Sequence, residues 1–264
     1  MIVFSHANGF PAGTYRLLFE AWRAAGHRVV AVERFGHDPR YPISSNWPRL
    51  RDQLVDFIEA QGSVAPVHLV GHSLGGYLSL LAASRLPTQV RSVVLIDSPL
   101  VSGWRAHGLR VVKLTGLMPR ISPGRISARR RWQWPSADAA LAHFAGKANF
   151  ARWDPAVLRD YVACGTEPDP AAASPGGVRL SFDREVETRL YNTLPHHLSA
   201  LLHKHPLRCP VGFVGGTQSR ELRQAGLAAT QALTRGRVSW VDGSHLVPME
   251  KPQRVAQAVL KLLA

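Results

Sequence analysis

The sequence predicts a doubly wound α/β domain: a mainly parallel sheet of about six strands with flanking helices, plus a helical insertion. Three observations carry this. Six short Val/Ile/Leu-rich runs recur along the chain, and helix-length patterns separate most of them. The runs are continuous rather than alternating in polarity, as strands covered by helices on both faces require. One long stretch, residues 98–205, breaks the rhythm, turning basic and Pro-rich with no strand-like run.

Taken in order, IVF (2–4) opens the series and is followed by the helical pattern TYRLLFEAWRAAG. RVVAV (28–32) precedes NWPRLRDQLVDFIEAQG, and VHLV (67–70) precedes an apolar, small-residue helix that begins after Ser73. SVVLI (92–96) ends the first half. VGFV (211–214), the helical SRELRQAGLAATQALTRG, VSWV (238–241) and EKPQRVAQAVLKLLA complete the second. The expected organisation is a core of residues 1–97 and 206–264, with 98–205 as a cap or lid rather than an independent domain. An insertion leaving the carboxyl end of a strand lies over the face where open α/β sheets bind ligands.

At 264 residues the chain is long enough for one large core. Its 45% hydrophobic and 19% charged residues describe a globular protein, and no apolar run approaches the ~18 residues of a transmembrane helix. MIVFSHANGF lacks the basic start and long apolar middle of a signal peptide, so the expected compartment is cytoplasmic. Cys164 and Cys209 show no metal-like or redox-like spacing, and neither a disulfide nor a zinc site is expected.

GHSLGG (71–76) places Ser73 between a strand and a helix in the pattern G-x-S-x-G. The glycines permit a strained turn that exposes the hydroxyl, and the next amide points at a developing oxyanion. A nucleophilic serine needs a base within hydrogen-bond reach. His245, in VDGSHLVPMEKP, follows the last strand run and precedes the last helix. SHANGF (5–10), just after the first strand run, could contribute the Asn8 amide to an oxyanion hole with the amide of Leu74.

With HAN, GHSLGG and GSHLVPMEKPQ in this order, the chain resembles the α/β-hydrolase superfamily. That resemblance implies a Ser-His-acid triad below a helical lid and no cofactor. The serine resembles that of esterases, lipases, lactonases, thioesterases and C–C hydrolases, and argues against epoxide hydrolases and haloalkane dehalogenases, where Asp occupies the position. The chain begins at what resembles the family's third strand, which predicts a six-stranded sheet with one edge lacking its usual cover. The acid commonly follows the penultimate strand, three residues beyond a glycine, but VGGTQSREL offers Gln218 or Ser219 there. The family's alternative location, the end of the strand after the nucleophile helix, holds Asp97 in SVVLIDSP, and Asp97 is favoured. Glu221, a first-turn acid behind the N-cap Ser219, and Asp242, in a D-G turn, remain the competing candidates.

The formal net charge is +14, and residues 101–134 carry eight Arg or Lys with no Asp or Glu, interleaved with Trp104, Trp132 and Trp134. Such a stretch can attract an anionic substrate, meet an anionic membrane surface, or form a solvated lid helix whose aromatics pack inward. RISARRRWQW matches no nucleic-acid-binding pattern, and nucleic acid is not an expected partner. HHLSALLHKH gathers His196, His197, His203 and His205 without a nearby carboxylate or thiolate, which reads as a helix end rather than a metal site. The expected function is a serine hydrolase cleaving a small-molecule carboxylic ester or thioester. The alternative is a non-hydrolytic ligand- or partner-binding protein on the same fold that uses the basic cap to bind an acidic ligand or a membrane surface.

Overall fold

The computed structural model describes residues 1–172 and 175–263. Six strands form the main sheet: β1 (Ile2–Ser5), β2 (Val29–Ala31), β3 (Val67–His72), β4 (Val90–Ile96), β8 (Val211–Gly216) and β9 (Val238–Val241). Their order is β2-β1-β3-β4-β8-β9, and every neighbouring pair is parallel. All six predicted runs are strands of this one sheet.

The side-chain alternation of the strands divides the core in two. Ile2, Phe4, Val70, Val94 and Ile96 face α1 (Arg16–Ala24) and α14 (Pro252–Leu263), which supply Leu18, Trp22, Val255 and Val259. Val3, Leu69, Val93 and Leu95 face α2 (Pro48–Ala60) and α3 (Leu74–Arg85), through Leu50, Leu54, Leu78 and Leu81. Helix α3 runs beside the central strands and buries nine of its twelve residues. That explains its all-round apolar, small-residue composition, since it has no solvent face to make polar.

The stretch SRELRQAGLAATQALTRG forms two helices rather than one, α11 (Arg220–Ala225) and α12 (Ala228–Thr234). The break falls at Gly226, whose φ of +78° continues no right-handed helix.

Between β4 and β8 the chain forms α4 (Gly103–Leu114), α5 (Met118–Ile121), α6 (Gly124–Arg129), α7 (Ala137–Ala145), α8 (Pro155–Gly165), α9 (Arg184–Asn192) and α10 (Leu198–Lys204). The expectation of a wholly helical insertion needs correction. A second, antiparallel sheet joins β5 (Gln133–Trp134), β7 (Val178–Leu180) and β6 (Thr166–Pro168) in that order. Each strand has only two or three residues, too few for a period-2 pattern to emerge from sequence. Phe144, Phe150, Trp153 and Tyr161 of this region stack on one another, and Phe10 of the N-terminal loop packs on Trp153 and Tyr161. The last two helices, α13 (Val247–Glu250) and α14, follow β9.

Candidate active site

Ser73 sits at the N-cap of α3 with φ +52° and ψ −115°, a strained conformation for a residue with a Cβ. The turn exists because its flanks are glycines. A Cβ on Gly71 would meet the Gly75 carbonyl oxygen at 2.2 Å, and one on Gly75 would meet the Ser5 carbonyl oxygen at 1.9 Å. The Ser73 turn is thus pressed against the end of β1, which brings the HAN loop beside it. The Ser73 amide donates to the Ile96 carbonyl (3.0 Å), and Ser98 Oγ donates to the Ser73 carbonyl (2.7 Å).

His245 reaches this turn from the loop after β9. Its Nε2 lies 3.0 Å from Ser73 Oγ, and its Nδ1 lies 2.7 Å from Asp97 Oδ1. Asp97 is fully buried at the end of β4, with φ +44°. Its other oxygen accepts from the Gly216 amide (2.7 Å), and Ser219 Oγ donates to Oδ1 (2.7 Å). Together with His245 these donors replace the hydration that burial removes from the carboxylate. Burial alone would lower the pKa of His245, but the hydrogen bond to Asp97, its charge and that of Glu221 outweigh this, and the net shift is upward from 6.5. The imidazole side chain remains 19% exposed, open towards the cavity.

The three acid candidates therefore separate in space. Asp97 touches His245. Asp242 instead accepts from Thr217 Oγ1 (2.9 Å) and Gln218 Nε2 (2.8 Å) at the surface. Glu221 lines the cavity, with Oε2 3.4 Å from Ser219 Oγ, and acts on His245 through charge.

The amide of Leu74, the first residue of α3, has no intrahelical acceptor by helix geometry, and Asn8 lines the same cavity. Asn8 is anchored through its side chain: Nδ2 donates to the Glu187 carbonyl at 3.0 Å. His6 is buried, and burial takes its pKa down to about 4, so the ring is neutral. Its Nε2 accepts from the Phe35 amide (2.9 Å) and its Nδ1 donates to the Ala7 carbonyl (2.8 Å), fixing the loop.

Several residues that shape the site carried no recognised signal in the sequence. His72 is buried and held neutral, chiefly by burial and also by the charge of His245. The Ala7 amide donates to Tyr15 Oη (3.1 Å), Tyr15 Oη lies 2.8 Å from His72 Nδ1, and His72 Nε2 donates to the His245 carbonyl (2.9 Å). This relay ties the N-terminal loop to the histidine loop. Glu250 accepts from the Ser244 amide (3.0 Å) and hydroxyl (2.5 Å), while Arg152 pairs with it at 3.1 Å. Ser219 was legible as a helix cap but not as a partner of Asp97. Its place where the family commonly puts the acid was the available clue.

A cavity of about 580 Å³ opens over Ser73 and His245, walled mainly by apolar and aromatic side chains including Trp47, Tyr77, Leu109, Leu190 and Tyr191. A larger cleft of about 830 Å³, among Arg34, Trp132, Arg179 and Arg184, contains none of these site residues, and the hydroxyl of its Ser181 donates to the Cys164 carbonyl (3.0 Å). The histidines of HHLSALLHKH do not converge: His196 Nδ1 lies 3.3 Å from the Lys113 ammonium, which repels a cation. Among the described residues no three His, Cys, Asp or Glu side chains gather as metal ligands.

The chain is similar in sequence and fold to known proteins. Monoglyceride lipase of Rattus norvegicus is 33% identical over 139 residues, 48% of this chain and 46% of that protein. The carbendazim hydrolyzing esterase of Nocardioides sp. is 33% identical over 118 residues, 44% of this chain and 46% of that protein. In these matches the chain spans about half the length of the relative. The crystal structure of E-2-(acetamidomethylene)succinate hydrolase superposes with a TM-score of 0.75 at 23% identity, covering 100% of this chain and 91% of that one, a likeness of fold. The model of the alpha/beta hydrolase family matches residues 2–258, and the chain belongs to that family.

Proposed function

We propose that this chain is a serine hydrolase that cleaves a carboxylic ester or thioester through an acyl-enzyme. The observation that carries the reading is the continuous hydrogen-bonded path from Ser73 through His245 to Asp97, at 3.0 and 2.7 Å, on a strained turn opening into a cavity. His245 Nε2 takes the Ser73 proton as Oγ attacks the acyl carbon. Asp97 holds the tautomer with Nε2 free and stabilises the imidazolium. The Asn8 and Leu74 amides take up the negative charge on the carbonyl oxygen. The imidazolium then gives its proton to the departing alcohol or thiol, and a water, deprotonated by His245, releases the acid and restores Ser73. The apolar cavity wall suits a hydrocarbon acyl or alcohol group, and relatives named as lipase and esterase support the ester class.

The binding-protein reading rests on the missing acid at Gln218 and Ser219 and on the basic stretch 101–134; contact between Asp97 and His245 weakens the first of these motives and leaves the second. The test is intact mass after treatment with a fluorophosphonate. Wild type is expected to gain one adduct and Ser73→Ala none; absence of an adduct on folded wild type would refute the hydrolase reading.

A further inference from the structure

Trp104, Val111, Leu114, Leu117, Ile121 and Ile126 lie on one short stretch and are between 41 and 76% exposed. Large apolar side chains this open occur elsewhere, among the described residues, only at Val64 and Trp240. Helix α4 buries none of its residues. Its exposed positions 104, 107, 111 and 114 recur at helical spacing, so Trp104, Val111 and Leu114 share one outward stripe with His107. The opposite side of α4 carries Arg105 and Leu109, which line the cavity over Ser73; Trp104, at the edge of the stripe, and Gly108 reach the cavity rim as well. Inward anchors hold the segment: Lys113 Nζ donates to Asn46 Oδ1 (3.0 Å) and the Leu194 carbonyl (2.8 Å), and Thr188 Oγ1 donates to the Gly124 carbonyl (3.2 Å). The segment is fixed on one side and apolar on the other.

We propose that residues 103–129 form a docking surface for an anionic lipid layer, through which an apolar ester passes directly into the cavity. Charge selects the occupant. Arg110, Arg120, Arg125 and Arg129 are exposed among the apolar residues, and no acid occurs from 101 to 134. A second copy of the chain would bring the same cations face to face in a symmetric interface. Nucleic acid would satisfy the cations and leave five exposed aliphatic side chains in water. A lipid layer with anionic headgroups takes both, apolar side chains in the acyl boundary and guanidinium groups at the phosphates. Because the cavity wall and the outward stripe are two sides of one helix, docking puts the cavity mouth at the lipid boundary. Delivery of an ester rests on the Ser73 reading; docking does not.

The experiment is co-sedimentation with vesicles of phosphatidylcholine, alone or carrying about a quarter phosphatidylglycerol. Three proteins are compared: wild type, Leu114→Ser with Ile121→Ser and Ile126→Ser, and Arg120→Gln with Arg125→Gln and Arg129→Gln. Wild type is expected to partition onto the phosphatidylglycerol vesicles only. The apolar variant should bind at least tenfold more weakly. The charge variant should lose roughly fivefold per cation, on the order of a hundredfold together. Both variants alter exposed side chains and should keep wild-type circular dichroism and turnover of a short water-soluble ester, while turnover of a vesicle-borne ester falls with binding. Wild type remaining in the supernatant with both vesicles would overturn docking, as would variants that bind like wild type. Sedimentation velocity showing a wild-type dimer that the apolar variant dissolves, with no vesicle binding, would assign the patch to a second copy. If no ester is turned over but vesicle binding follows the expected order, the hydrolase reading fails and docking stands.

Discussion

His245 experiences two opposed influences, and their balance sets the pH at which it can act. Burial favours the neutral ring; the hydrogen bond and charge of Asp97, with Glu221 behind them, favour the protonated one and prevail, raising the pKa above 6.5. In the proposed reaction His245 is the general base and must be neutral, so kcat/KM for an ester is expected to fall as pH drops through a midpoint above the ordinary histidine value. Asp97→Asn removes the stronger of the two carboxylate influences and the tautomer control. Its acid-limb midpoint should move down, and activity should drop on the order of 10³- to 10⁴-fold. Glu221→Gln removes only a through-space contribution, with a smaller downward shift and near-normal turnover. Measuring the pH profiles of the three proteins decides the matter: a Glu221→Gln defect as deep as that of Asp97→Asn would assign the acid to Glu221. Ser219, by donating to Asp97 Oδ1 and capping α11 through the Leu222 amide (3.2 Å), keeps the carboxylate aimed.

At the scale of elements, the Ser73 turn forms because β1, β3 and α3 approach each other without side chains between them. Gly75→Ala would set a Cβ 1.9 Å from the Ser5 carbonyl oxygen, and both partners there are backbone. The expected result is a loss above about 3 kcal/mol, or roughly 6 °C and more in Tm, measured by thermal denaturation. Gly108→Ala is the contrasting case: it lies within α4, with nothing within 4 Å of the added Cβ, and should raise stability by up to about 1 kcal/mol. Equal effects at the two glycines would contradict the packing described. The same contrast explains what the sequence discloses. Buried parallel strands and a G-x-S-x-G turn leave dense local patterns, so all six main strands and the position of Ser73 could be read directly. The strands β5, β6 and β7 are too short for any periodicity, and Gly226 splits a stretch whose apolar spacing reads as one helix. The choice among Asp97, Glu221 and Asp242 was not decidable locally, because the contact with His245 joins residues 148 positions apart.

Across the whole molecule, an ion pair within the insertion braces the residue that holds the loop after β1. Arg130 Nη2 lies 2.6 Å from Glu187 Oε2, and Ser127 Oγ donates to Glu187 Oε1 at 2.8 Å. Glu187 is only 6% exposed, and burial raises its pKa against the opposing charge of Arg130. Its carbonyl holds Asn8, and its carboxyl group packs against Gly9, where an added Cβ would meet it at 3.0 Å. A pair in this setting is costly to break and much less costly to replace, because removing one partner strands the other charge away from water. Arg130→Met is therefore expected to cost about 3–5 kcal/mol, read as a fall in Tm of roughly 6–20 °C. Arg130→Met combined with Glu187→Leu should recover most of that stability, since neither charge remains. The double variant loses the Ser127 contact and the carboxylate beside Gly9, so its ester turnover should stay below wild type even where its Tm returns. A double variant less stable than Arg130→Met alone would mean that Glu187 serves the fold through Ser127 and Gly9 rather than through its pairing with Arg130.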